Sequence, residues 1–232
     1  MLWQEGLFAL PQHFQQQQRH TDYLLCETAG CAGGLCLGFT ELSLNTELLA
    51  QGKVMIDKAA GCLPDGTVFR IPDQDLLPLP FQPGELTTPE SHDIYLALPV
   101  SGHNISEIQG VRRAGQSSER YRLSYMDVCD IHTENGDVQP LSLGQLVLRI
   151  VSGAEDLSAM VVLPLCRIRS LRAGGGLVLD EEFIPTCQTV RVSPVLNRFV
   201  GDVQGMIAPV PPIWRNVSAR RSRAVSPTWP SL

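Results

Sequence analysis

A chain of 232 residues that is 44% hydrophobic and 18% charged lies in the range of ordinary folded proteins and outside that of disordered or collagen-like chains. Its formal charge of -6 argues against a body built to lie along a phosphate backbone, so nucleic acid is not an expected partner. No apolar run reaches the roughly 18 residues of a spanning helix, and Met1-Leu2-Trp3-Gln4-Glu5 lacks the basic start and apolar core of a signal peptide. The expected compartment is therefore the cytoplasm, without direct membrane insertion.

Between Leu2 and Gln18, large apolar groups (Leu2, Trp3, Leu7, Phe8, Leu10, Phe14) precede a run of glutamines at 15–18 with no strand alternation. Proline is well placed at the first position of a helix, where its missing N–H costs nothing, so a helix is predicted from about Pro11 to Cys26. Its apolar face is thin: Phe14, Thr21, Leu24 and Leu25 stand among Gln, His, Arg and Asp. Burial within its own domain would stabilise such a helix little, which leaves Trp3, Phe8 and Phe14 as anchors for another protein. Residues 1–28 are assigned to this docking segment.

From 29 to 171 short apolar runs alternate with turn residues, the pattern of an all-β domain. The predicted strands are Leu35–Leu44, Lys53–Cys62, Val68–Ile71, Asp93–Pro99, Tyr121–His132, Gln145–Val151 and Met160–Ile168. Pro64-Asp65-Gly66 and Asn135-Gly136 are tight reversals between strands. The segment from Ile71 to Asp93 holds Pro72, Pro78, Pro80, Pro83 and Pro89 and is expected as a surface excursion or an edge. The polar stretch Ser101 to Arg120, with Arg112 and Arg113, is expected as a mobile loop.

Gly174-Gly175-Gly176 marks a hinge, and 172–192 is assigned as a linker. Ser193-Pro194 then offers an N-cap with proline behind it, and Val195, Leu196, Phe199, Val200, Val203, Met206 and Ile207 recur at helical spacing. A stripe this wide on a helix at 193–207 requires burial against other helices. Residues 208–232 are rich in Pro and Arg, lack any acidic residue, and are expected to be disordered, as a replaced or frameshifted tail would be.

Catalytic signatures are absent: no Gly-x-Ser-x-Gly, no His-Glu-x-x-His, no phosphate loop and no dinucleotide glycine motif occurs. His13, His20, His92, His103 and His132 are dispersed and read as solvated or hydrogen-bonded side chains. The seven cysteines (26, 31, 36, 62, 129, 166 and 187) are an odd number spread over a long chain, and most are expected to be free thiols. Cys26, Cys31 and Cys36 recur every five residues, which is not the spacing of a tetrahedral zinc site. Asp73 and Asp75 read as solvated carboxylates of the Pro-rich segment. Asn104-Ile105-Ser106 and Asn216-Val217-Ser218 match glycosylation acceptors but carry no weight without a secretory signal. No catalytic residue, metal or cofactor is expected.

The stretch Leu2-Trp3-Gln4-Glu5-Gly6-Leu7-Phe8-Ala9-Leu10-Pro11-Gln12-His13-Phe14-Gln15-Gln16-Gln17 resembles the signature of the TssK (ImpJ/VasE) family, W-x-E/D-G-x-F-L-x-P-Q-H/Q-F-Q-Q-Q. Gly38-Phe39 leading to Leu48-Leu49, the Pro64-Asp65-Gly66-Thr67 turn, Ile94 to Pro99, Phe183 to Cys187 and Ser193 to Leu196 agree in order and spacing. The resemblance, over about residues 1 to 207, implies a cytoplasmic structural adaptor of the type VI secretion baseplate, docked at the inner-membrane-associated baseplate. It implies an antiparallel β-sandwich shoulder like that of phage receptor-binding proteins, a helical neck, a homotrimer, and docking on the wedge proteins TssF and TssG. Carried onto this chain, the partner-binding candidates are Trp3, Glu5, Phe8, Pro11, Phe14 and Gln15. The neck candidates for oligomerisation are Val195, Leu196, Phe199, Val200, Val203 and Ile207. The family's head, which binds the membrane complex TssJLM, has no counterpart here, so that contact is expected to be lost. Two rival readings are a β-sandwich that binds carbohydrate or another ligand, which needs an aromatic-lined concave site, and a metal or thiol enzyme built on His20, Cys26, Cys31 and Cys36.

Overall fold

The computed structural model describes residues 5–31, 37–84, 86, 88–101, 119–130, 132, 136 and 138–207. Helix α1 (Pro11–Cys31) leads, one turn and a half longer than the sequence pattern suggested. The strands are β1 (Gly38–Leu44), β2 (Ile56–Cys62), β3 (Val68–Ile71), β4 (Asp93–Pro99), β5 (Tyr121–Cys129), β6 (Val138–Leu146), β7 (Arg149–Ser152), β8 (Met160–Leu171) and β9 (Leu177–Leu179). A short helix α2 (Thr46–Ala50) follows β1, and α3 (Pro194–Ile207) closes the described residues.

Hydrophobic alternation sets the layers. In β3, Phe69 and Ile71 are buried while Val68 and Arg70 face out, as a period of two requires. Strand β4, paired on both sides and apolar almost throughout, is buried from Leu96 to Pro99. The strands form two antiparallel sheets, β1-β2-β3 and β7-β4-β8-β9, and a separate β5-β6 ribbon. One core joins the sheets: Phe39, Ile56, Phe69 and Ile71 come from the first, and Ile94, Leu96, Leu98, Leu163 and Ile168 from the second. Phe39 and Phe69 meet edge to face, with ring centroids 5.8 Å apart, a contact that adds about 0.5–1.5 kcal/mol to the burial itself. The chain is thus a mainly β, two-sheet fold with a helix at each end.

Several expectations are corrected. The single strand predicted at Gln145–Val151 is two, because the chain leaves the ribbon after Leu146 and enters the second sheet at Arg149. The expected linker 172–192 is part of the β body: β9 pairs with β8 and Leu177 lies in the core. The triple glycine is the turn between these strands, with Arg172 N–H donating to Gly176 O at 2.7 Å and Gly175 at φ 84°, a conformation that favours glycine. Beyond β9 the chain returns to β1, where Phe39 N–H donates to Thr186 O and Gln188 N–H donates to Phe39 O, each at 2.9 Å. Within the Pro-rich segment, Phe81 exchanges both backbone hydrogen bonds with Val54, at 2.7 and 2.8 Å, and so extends that edge. Helix α2 was not foreseen; Asn45 caps it by accepting from Leu48 N–H at 2.8 Å and ties it to β2 by donating to Asp57 at 2.9 Å.

Cys36, His103, Asn104-Ile105-Ser106, Arg112, Arg113, Asn135 and all of 208–232 lie outside the described residues. No helix among those described is long and apolar enough to cross a membrane.

Candidate partner-docking surfaces

The first surface is the N-terminal leader with α1. Proline at position 11 opens the helix, and Leu10 occupies its cap position. His13 closes that end in both directions: its Nδ1 accepts from Leu10 N–H, and its own N–H donates to Leu10 O, each at 2.9 Å. Further along, Gln18 donates to Asp22 at 2.7 Å across one turn, and the Thr21 hydroxyl donates to Gln17 O. No residue of this 21-residue helix is buried. Phe8 is 81% and Phe14 61% exposed, and Leu7, Leu10, Leu24 and Leu25 are also open to solvent. Glu5, Pro11 and Gln15 are exposed beside them, and Trp3 lies outside the described residues. The helix approaches the β body where Cys26 faces the β2–β3 turn; a methyl group on Gly66 would collide with the Cys26 sulfur.

The second surface is α3. Ser193 is fully buried and accepts from Leu196 N–H at 3.4 Å, and its carbonyl accepts from Asn197 N–H at 3.0 Å. With Pro194 behind it, this cap starts the helix against the body, where Val192 packs on the core. At 100° per residue, Val195, Leu196, Phe199, Val200, Val203, Met206 and Ile207 fall on one arc, yet none of them is buried. Its most exposed apolar side chains are Met206 at 74%, Phe199 at 63% and Ile207 at 60%.

Behind these surfaces lies a charged anchor that the sequence pattern did not reveal. Arg120, placed by sequence in a mobile loop, is buried. Its guanidinium donates to Pro99 O and to Asp65, each at 2.6 Å, and to the Thr67 hydroxyl. Burial, the largest single influence, works against the charge, but the hydrogen bonding and charge of Asp65, joined by Tyr121, together outweigh it and hold Arg120 above its ordinary value. The Pro64-Asp65-Gly66 reversal is thereby clamped to the end of β4. Asp75, read as a solvated carboxylate, is a backbone clamp too: it accepts from Arg70 N–H at 2.9 Å and from Leu146 N–H at 3.2 Å. At the other end of β4, Arg167 donates to Asp93 at 2.6 Å and lies over the Phe183 ring.

Among the described residues no three His, Cys, Asp or Glu side chains gather into a metal-holding group. His20, Cys26 and Cys31 are exposed along α1. Two open surface pockets, of about 340 and 420 Å³, include one aromatic side chain between them, Phe81.

A protein-family model described as bacterial type VI secretion, VC_A0110, EvfL, ImpJ, VasE matches residues 13–209. The type VI secretion system baseplate component TssK1 of Pseudomonas aeruginosa is 33% identical over 212 residues, which is 89% of this chain and 46% of that protein. A crystal structure of TssK superposes with a TM-score of 0.79 at 29% identity, covering 90% of this chain and 46% of its own. A chain of a type VI secretion system TssK-TssF-TssG baseplate subcomplex solved by cryo-electron microscopy shares the fold, with a TM-score of 0.76 at 22% identity over 90% of this chain and 68% of that one. This chain therefore spans about half the length of the curated relative it matches. The family match, the identity to TssK1 and the shared two-sheet fold together place the chain in the type VI secretion ImpJ/VasE family, that of the TssK baseplate component.

Proposed function

We propose that this chain is a structural adaptor of the type VI secretion baseplate, acting in the cytoplasm by binding rather than by catalysis. Residues 1–28 dock on the wedge proteins TssF and TssG, with Trp3, Phe8, Pro11 and Phe14 as apolar anchors and Glu5 and Gln15 as polar contacts. The two-sheet body is the shoulder that carries this segment, and α3 begins a neck that joins three copies through Val195, Leu196, Phe199, Val200, Val203 and Ile207.

One observation carries the docking assignment. Phe8 and Phe14 stand in solvent on a segment none of whose described residues is buried in its own chain, although burying each aromatic is worth about 1.5–3 kcal/mol. In a family whose relatives include a TssK-TssF-TssG subcomplex, a neighbouring chain is the natural cover. The test is co-purification. Replacing Trp3 and Phe14 together by alanine should abolish capture of purified TssF–TssG while the circular dichroism spectrum stays that of the parent. Capture at the parent level would sink the anchor assignment.

A further inference from the structure

We infer that His13 is a positioning residue for docking: by capping α1 it fixes the direction in which Phe8 leaves the helix that carries Phe14. The inference rests on the anchor reading above. Its own observation is the reciprocal pair between Leu10 and His13, N–H to Nδ1 and N–H to O, each at 2.9 Å. A helix start leaves backbone N–H groups without helical partners. In a capping box the residue three positions into the helix reaches back to the cap residue's N–H, usually with a Glu or Gln side chain. Here an imidazole does so, which requires Nδ1 as the acceptor and the ring proton on Nε2. Phe8 lies two residues before the capped amide and Phe14 one residue after the capping histidine, so this closed turn is the joint between the two anchors. The leader has no core to hold it: residues 5 to 10 are all exposed. Without the cap the joint frays, and the partner must then order it on binding.

The test uses the whole chain, purified TssF–TssG as the probe, and amide hydrogen exchange at Leu10. His13→Ala loses the acceptor, and His13→Lys offers only donors; both are expected to weaken binding about tenfold, the equivalent of about 1.4 kcal/mol, and to speed exchange at Leu10. His13→Gln restores a capping-box acceptor and is expected to bind within about twofold of the parent with Leu10 still protected. Since α1 buries no residue, the β body should be unchanged in all three. Parent-like affinity in His13→Ala, or a His13→Gln variant as weak as His13→Ala, overturns the inference. Phe8→Ala/Phe14→Ala separates its failure from that of the anchor reading. If this variant binds like the parent, the anchor reading falls and takes the inference with it. If it loses binding while His13→Ala keeps it, only the role of the cap falls.

Discussion

At the scale of single residues, the side chains that hold this fold are those whose partners are far away in sequence. Arg120 reaches Asp65, Thr67 and Pro99, and nothing in the polar run before it signals burial, so no local pattern distinguishes it from a loop arginine. Asp75 is similar, since one of its partners, Leu146 N–H, lies 71 residues on. Cys166 was correctly legible as a thiol without a disulfide, and its environment yields a pH prediction. Burial in the core pushes its ionisation up to about 12. Above about pH 9 the unfolded chain releases a proton that the native chain keeps, so this thiol's contribution to stability is intact below that point and is lost as pH rises, by about 1.4 kcal/mol per unit. Urea unfolding of the parent and of Cys166→Ala at about pH 8 and about pH 10.5 isolates the group from other titrating residues. The parent's advantage should shrink by about 2 kcal/mol at the higher value; an unchanged difference would mean that the thiol is not desolvated.

At the scale of elements, periodicity was a good guide wherever one face of a strand meets the core. The Phe69/Ile71 alternation and the continuous apolar run of β4 were both readable. It failed where glycine and proline carry two meanings. Gly174-Gly175-Gly176 looks like flexible linker, but a tight hairpin also demands a positive φ, and only the pairing of β9 with β8 decides between them. The ribbon strand β6 was largely missed because its outward residues alternate with nothing buried: from Val138 to Gly144 every position is exposed. A mutation discriminates linker from strand. Leu177 is 5% exposed in the shared core, so Leu177→Ala should lower the unfolding free energy by about 2–5 kcal/mol, measured by urea denaturation. A loss under about 0.5 kcal/mol, the size of an ordinary surface substitution, would return the segment to a linker. The exposure of Phe8 and Phe14, on which the docking proposal rests, was legible for the opposite reason: an apolar, aromatic leader without strand alternation has no evident place in its own core.

At the scale of the whole molecule, the question is whether α3 alone could hold three copies together. Phe199, Met206 and Ile207 are its most exposed apolar groups, and covering all three would contribute about 5–9 kcal/mol per chain. Association costs about 4–15 kcal/mol in lost freedom, and a helix of 14 residues is about 21 Å long, two heptads at most. The gain and the cost are therefore of the same size, and the stripe on its own supports a weak, concentration-dependent trimer rather than a permanent one. Light scattering over a dilution series should show the mass falling from that of three chains towards one as the protein is diluted. Phe199→Asp with Ile207→Asp places two charges in the seam, where their desolvation is uncompensated, and should leave a monomer at every concentration with the β body intact by circular dichroism. A trimer that survives both substitutions would move the assembly surface off α3 and onto the β body, where the ribbon residues Tyr125, Met126 and Leu141 are also exposed.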